Sequence, residues 1–332
     1  MLFRSAAIDA KSNYQASITV LSDSYASIGG WTQPLTDALQ LRYGNAGMGF
    51  LMCNNVTGVY GPPNLNPDWS ALPSIPIGAN WTMNNAFDVP LFATAVTSNA
   101  NSIWFTNTFQ SATNIFYYYT TPWGGNFTVT TNGVAVKTIS GFSAGATNLA
   151  WTNINLTQDY YSLGFSNVAG TNFFVGIDSR TTNAGVRFYN HGHSGSAAIS
   201  WTTNTALTTV LSNESPTLVI VDLGRNDQLR YGNAASIYNN LSNNLSQVIA
   251  TAKSVTTNLT LPSDYALFSS PDMTNDVYPT VTSASLLCHW SCAASSNSTA
   301  YVDLYNAMPS QDRKNTRLNS SHVSESRMPS SA

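Results

Sequence analysis

The chain has 332 residues, 43% of them hydrophobic and 11% aromatic, enough to bury a core in one large domain or two ordinary ones. Only 9% are charged and the formal net charge is −3, so there is no basic footprint for nucleic acid, while the hydrophobicity excludes a disordered chain. No apolar run approaches the ~20 residues of a membrane span. Asn, Thr and Ser supply the polar surface, a neutral skin common in secreted β-rich proteins and viral fibres.

The opening "MLFRSAAIDAKSNYQ" lacks the apolar centre of a signal peptide. "ASITVLSDSYAS" then starts as a strand, in which Ile18, Val20 and Leu21 run into a sharp polar turn. The spacing of Leu35, Ala38, Leu39 and Leu41 in "WTQPLTDALQLRY" predicts a helix with these residues on its buried face, and "GNAGMGF" ends it with three glycines. From Thr57 to Thr182 the texture changes to short β-branched and aromatic runs such as "NIFYYYTT", "NFTVTTNG" and "NFFVGIDS", punctuated by Asn, Gly and Pro. That spacing predicts an all-β sandwich, with a hairpin turn at Asn132–Gly133. Afterwards strands and helices alternate: "GVRFYN" as strand, "HGHSGSAA" as turn, and "PTLVIVDLG" as a nearly continuous apolar strand. "NAASIYNNLSNNLSQVIATAKS" follows as an amphipathic helix with Ile237, Leu241, Leu245, Val248 and Ile249 on one side. "DYALFSSP" is a further strand, "VTSASLLCHWSCAAS" a helix and "AYVDLYNA" a last strand. The expected architecture is α/β: a three-layer parallel sheet with an all-β sandwich inserted after its first βα unit.

Cys53, Cys288 and Cys292 do not make a disulfide framework, and the C-x3-C of "CHWSC" fits no zinc spacing, so neither a metal nor a cofactor is expected. Open parallel sheets place their sites at the carboxyl ends of the strands. Three such ends carry suitable groups: Ser24 in "SDSY", Gly195 in "NHGHSG", and Asn226 with Asp227 in "GRND". A serine in a turn is most often a cap or turn former, and a lone glycine marks only a permissive backbone. Together, a hydroxyl at a helix start, a backbone N–H from a glycine turn and a side-chain amide suit acyl transfer.

In their order and placement these blocks resemble those of the SGNH (GDSL-type) hydrolases, over roughly residues 16–54 and 183–310. "VLSDSYAS" is similar to the first block, although the usual Gly-Asp-Ser reads Ser22-Asp23-Ser24, a serine expected to strain the turn. The resemblance implies a flavodoxin-like sheet and a serine esterase without a cofactor. In it Ser24 is the nucleophile, the Ser24 and Gly195 amides and the Asn226 side chain hold the oxyanion, and Asp23, Gly224 and Asp227 support them. It also implies an Asp-x-x-His block beyond the last strand to activate the serine.

None of the four histidines fits that block. His191 and His193 lie in the second block, where they are candidates for the pocket wall; His289 precedes the last strand; His322 follows it, but Asn319 stands three residues before it. The tail around His322 lacks an apolar period and holds four of the 13 basic residues. Back-translated, it resembles a DNA-library adapter, as does "LFRS" near the start. Residues 1–5 and 312–332 are therefore expected to be non-native, and the catalytic His and Asp to be absent from the chain. The expected domains are residues 6–56 and 183–311 for the hydrolase and 57–182 for the sandwich.

That layout resembles peptidoglycan O-acetylesterases and related polysaccharide deacetylases that carry a carbohydrate-binding-module-like sandwich. It implies an extracytoplasmic enzyme, its partner an O-acetylated carbohydrate and not nucleic acid or membrane. "WF", "FYYY" and "PWGG" offer either sugar-stacking faces or core. The rival reading is a glycan-binding phage tail or fibre component; a virion-borne esterase would join the two.

Overall fold

The computed structural model describes residues 14–23, 26, 31–52, 82–84, 94–97, 102–104, 109–192, 196–202, 204–224, 226–227, 234–257, 263–269 and 283–303. The chain opens with strand β1 (Gln15–Ser22), buried along all but its first residue. Helix α1 (Thr32–Tyr43) follows, and Gly44, at a φ of 98°, ends it. Its inward face is Thr32, Leu35, Leu39 and Tyr43, not the face expected from the sequence. Ala38 is exposed and Leu41 is 91% exposed. The reason is angular: Leu41 lies two residues, about 200°, around the helix from Leu39.

Strand β2 (Gly49–Met52) pairs antiparallel with β11 (Asn172–Arg180). The sandwich sheet thus begins before residue 57, the boundary suggested by the change of texture. Between them come β3 (Thr82–Asn84), β4 (Thr94–Thr97), β5 (Ser102–Trp104), β6 (Phe109–Thr120), β7 (Asn126–Thr131), β8 (Val134–Ser140), β9 (Asn148–Tyr161) and β10 (Leu163–Ala169). They form a four-stranded sheet, β5-β10-β7-β8, and a six-stranded sheet, β3-β4-β11-β6-β9 with β2 on β11. The β7–β8 turn is the expected Asn-Gly hairpin, with φ of 51° at Asn132 and 77° at Gly133.

The aromatic run of β6 explains how this sandwich sits. Phe116 and Tyr118 point into the core between its two sheets, with Phe127, Phe165 and Phe174. Tyr117 and Tyr119 point the other way, into a core shared with the α/β unit. A strand buried on both faces reads as a continuous apolar run, because neither face meets water.

Strand β12 (Gly185–Gly192) returns to the parallel sheet. Helices α2 (Ala198–Thr202) and α3 (Ala206–Glu214), strand β13 (Leu218–Asp222), helix α4 (Ala234–Thr256), strand β14 (Asp264–Phe268), helix α5 (Ser283–Ser296) and strand β15 (Ala300–Val302) complete the chain's described part. The sheet order is β12-β1-β13-β14-β15. Renumbered within the sheet this is 2-1-3-4-5, the flavodoxin-like order, whose direction reverses between β1 and β13. Ile18, Val20, Val186, Phe188, Leu218 and Ile220 bury one face with Leu35 and Leu39 of α1. Leu21, Tyr189, Val219, Val221 and Leu267 bury the other against Trp201, Leu207, Leu211, Leu241, Leu245 and Trp290. The expected three-layer α/β fold with an inserted sandwich is the one observed.

Candidate active site

Strands β12, β1 and β13 end level with one another. Ser22 is paired with Gly192 on one side and Asp222 on the other. This is the switch point of the sheet: α1, which follows β1, packs on one face and α4, which follows β13, on the other. Four side-chain links tie the segments that emerge there. Ser22 Oγ donates to Asp222, at 2.9 Å from its carbonyl oxygen and 3.0 Å from Oδ2. Ser196 Oγ donates to the Ser22 carbonyl at 3.0 Å. Asn226 Nδ2 donates to the Ser196 carbonyl at 3.0 Å. Asp227 Oδ2 accepts the Ala198 N–H at 2.8 Å, where α2 starts and a carboxylate is favoured. Asn190 adds a fifth, its Nδ2 donating to the Ala26 carbonyl at 2.7 Å and to Thr32 Oγ1 at 3.1 Å.

Of the residues singled out in the sequence, Ser24, His193 and Gly195 lie outside the described residues, as do Cys53 and His322. Their chain neighbours are placed. Asp23 is fully buried directly after β1, Ser196 is bonded to β1, and Asn226 is bonded to Ser196. Ser22 is buried in regular strand and is not among the positive-φ residues, so serine in place of glycine introduces no backbone strain. Gly224 does need to be glycine. Its φ is 120°, and a Cβ there would meet Trp290 Cζ2 at 2.7 Å.

His191 does not line a pocket. It is fully buried, its Nε2 lies 2.6 Å from Glu214 Oε1, and its ring packs against Phe50 at 5.0 Å between centroids. Glu214 Oε2 accepts the hydroxyl of Thr19 on β1 at 2.7 Å. Period-two alternation explains the placement: the odd-numbered Arg187, Tyr189 and His191 of β12 share the face turned toward α3 and the inserted sheet. Beside this pair Asp178 of β11 accepts Arg180 Nε at 2.9 Å and the Tyr189 hydroxyl at 3.3 Å. Arg180 Nη2 reaches the Asn213 carbonyl at the end of α3, at 2.7 Å. Burial, then the carboxylate of Asp178, push the Tyr117 and Tyr189 hydroxyls well above the ordinary tyrosine pKa. On α5, partial burial lowers the pKa of His289 below the usual histidine value. Among the described residues no cluster of His, Cys, Asp and Glu is placed to hold a metal, and no helix is long and apolar enough to cross a membrane.

Sequence reasoning missed three contributors. Ser196 and Asp222 are ordinary polar residues next to the blocks, without a motif of their own. Trp290, inside "CHWSC", is fully buried and donates Nε1–H to the Leu223 carbonyl at 2.9 Å, bracing the turn that carries Asn226. Its position in the middle of a predicted helix gave a packing signal only.

No curated protein matches the sequence significantly. Among solved structures, one described as a peptidoglycan O-acetylesterase in action aligns over 91% of this chain and 82% of its own, with 15% identity and a TM-score of 0.66, which establishes a shared fold. A family two carbohydrate esterase from Cellvibrio japonicus (10% identity, 70% of this chain, 87% of its own) has a TM-score of 0.27. A carbohydrate acetylesterase from Sinorhizobium meliloti (14% identity, 36% and 65%) has a TM-score of 0.30. At such scores neither bears on the architecture. The family of GDSL-like lipases and acylhydrolases matches residues 123–320, a span that takes in Gly195 and Asn226 and begins after Ser24. With more than half of its length matched, and with three strand ends of an open parallel sheet tied together at the switch point, the chain belongs to the GDSL-like lipase/acylhydrolase family of ester hydrolases.

Proposed function

We propose that the chain is built to remove O-acetyl groups from a carbohydrate, a polysaccharide or peptidoglycan, with Ser24 as nucleophile. The observation that carries this is the bonded closure of the three strand ends at Ser22, Ser196 and Asn226. In the sequence Ser24 follows Asp23, which is buried, and Gly195 precedes Ser196, whose carbonyl accepts from the Asn226 amide. In this reading Ser24 Oγ attacks the acetyl carbonyl and a base takes its proton. The amides of Ser24 and Gly195 and the Asn226 carboxamide stabilise the oxyanion; losing one such donor typically costs about 10²–10³ in rate. The tetrahedral intermediate then expels the sugar hydroxyl, and water releases acetate from the acyl-serine. The shared fold of the peptidoglycan O-acetylesterase supports a carbohydrate ester as substrate. So do Trp123 and Phe142, 60% and 56% exposed on neighbouring sandwich loops joined by the Thr121 N–H to Gly141 carbonyl bond.

The base is the one role this reading leaves unassigned. No Asp-x-x-His occurs anywhere in the sequence, and His191 is sealed against Glu214. The chain as written is therefore expected to hydrolyse aryl acetates slowly and to be accelerated by added imidazole, which supplies an external base. The test compares imidazole-supported acetate release by the parent, Ser24→Ala and Asn226→Ala. Rates that stay equal in all three refute the nucleophile and oxyanion assignments. Fast turnover without imidazole that disappears in His322→Ala would instead make His322 the base.

A further inference from the structure

We propose that Ser22 and Ser196 are positioning residues whose two buried hydroxyls clamp the strand ends of the site and fix the plane of the Asn226 carboxamide. The inference rests on the esterase reading for its function and on the geometry alone for its existence. Ser22 is fully buried and Ser196 is 3% exposed, so each hydroxyl needs a protein partner, and each finds it on a different strand segment. The links form a closed circuit. Ser22 Oγ reaches Asp222 at the end of β13; four residues further along the chain, Asn226 Nδ2 reaches the Ser196 carbonyl at 3.0 Å; Ser196 Oγ returns to the Ser22 carbonyl at 3.0 Å. In a closed circuit no end moves alone: a shift of the turn bearing Asn226 stretches a bond at Ser196 or at Ser22.

The circuit also has directional content. A carboxamide nitrogen carries two N–H groups in one plane. With one given to the Ser196 carbonyl, rotation of the carboxamide is restricted, and with it the direction of the second N–H. The second is the group an oxyanion would require, and a side chain fixed before substrate arrives needs no reorganisation when charge develops. Ser196 thereby joins two jobs: its carbonyl holds the donor and its hydroxyl anchors that carbonyl to the strand that leads to Ser24. The serine at position 22, where the blocks it resembles carry glycine, has a role no glycine could fill. Its hydroxyl adds a side-chain bond from β1 to β13 where the ladder already pairs Ser22 with Asp222.

The test uses Ser22→Ala, Ser196→Ala and the hydroxyl-retaining Ser22→Thr and Ser196→Thr, each followed by crystallography and by imidazole-supported aryl acetate turnover. In the alanine variants the clamp predicts that Asn226 Nδ2 moves beyond 3.5 Å from the carbonyl of residue 196. It also predicts that kcat falls at least tenfold while KM stays within twofold, with most of the loss recovered by threonine at the same position. Retention of the Asn226 bond in both alanine crystal structures overturns the clamp whether or not the protein turns over. So does an unchanged kcat in a protein whose turnover is abolished by Ser24→Ala. If Ser24→Ala releases acetate as fast as the parent, the esterase reading fails, and the crystal structures alone then decide the clamp.

Discussion

The buried pair of His191 and Glu214 gives a quantitative prediction. Both side chains are fully buried, 2.6 Å apart at their nearest atoms, and Thr19 completes the carboxylate at 2.7 Å. Glu214 is also the last residue of α3, where the helix dipole disfavours a carboxylate by ~0.3–1 kcal/mol, so its partners have that to offset as well. Removing one member of a buried pair leaves the other desolvated and uncompensated, which typically costs about 3–5 kcal/mol. Replacing both by apolar residues of similar size removes two desolvation penalties together with one attraction, and is often near neutral. The double-mutant cycle Glu214→Leu, His191→Leu and the double variant should therefore be strongly non-additive. Each single change is expected to cost ~3 kcal/mol or more and the double change less than either, so the coupling exceeds the larger single effect. Urea unfolding at pH 7, followed by tryptophan fluorescence, measures this from the midpoints as long as the slopes agree. Single effects that add to within ~0.5 kcal/mol would show that the two groups do not act as a pair. The contact between His191 and Glu214 would then contribute no coupling to the fold.

Gly224→Ala should destabilise by ~1–3 kcal/mol and slow imidazole-supported turnover, because a φ of 120° and Trp290 at 2.7 Å leave no room for a Cβ; a thermal midpoint unchanged to within a degree would contradict this. Tyr117 and Tyr189 have raised pKa values, with burial the main cause, so they stay protonated in the fold while the unfolded chain ionises near pH 10. Their contribution is complete below pH 10 and is lost as pH rises above it, by about 1.4 kcal/mol per pH unit for each tyrosine; denaturant titrations at pH 9 and 11 should show a shallower loss in Tyr189→Phe. Trp123→Ala should lower retention on an immobilised acetylated polysaccharide about fivefold or more without changing the thermal midpoint, since the ring is 60% exposed and stacking is worth ~1 kcal/mol.

Most of the architecture was legible because periodicity carries it. The alternation of "ITVLS" and "VRFYN", the continuous "LVIVD" and the Leu241, Leu245, Val248 and Ile249 stripe each report which sides of an element meet water, and each element lies where expected. Helices α2 and α3 escaped notice for opposite reasons. The first has five residues, too few for a period, and the second, "ALTTVLSNE", mixes β-branched residues into a short helix that only its packing with Leu207, Val210 and Leu211 stabilises. At the site, the motif residues could be named from "SDSY", "NHGHSG" and "GRND", but not the bonds among Ser22, Ser196 and Asp222. Such bonds join positions far apart in the chain and use commonplace side chains, so no local pattern announces them. His191 was misread for a related reason: its partner Glu214 ends a helix that the sequence had not revealed.

The inserted sandwich is more than an appendage of the α/β unit. Tyr117, Tyr119, Phe173 and Val175 of its six-stranded sheet lie in the same cluster as Leu21, Val219 and Trp290 of the α/β unit. Arg180 of that sheet supplies a hydrogen bond to the C-terminal end of α3, where a cation is favoured, and Asp178 beside it takes the Tyr189 hydroxyl of β12. The sheet therefore covers what would otherwise be an open apolar face, and it braces β12, the strand that leads into Gly195. A shift of β11 would strain the Arg180 bond to the Asn213 carbonyl and the Asp178 bond to Tyr189 together, so the inserted sheet, α3 and β12 are held by the same contacts.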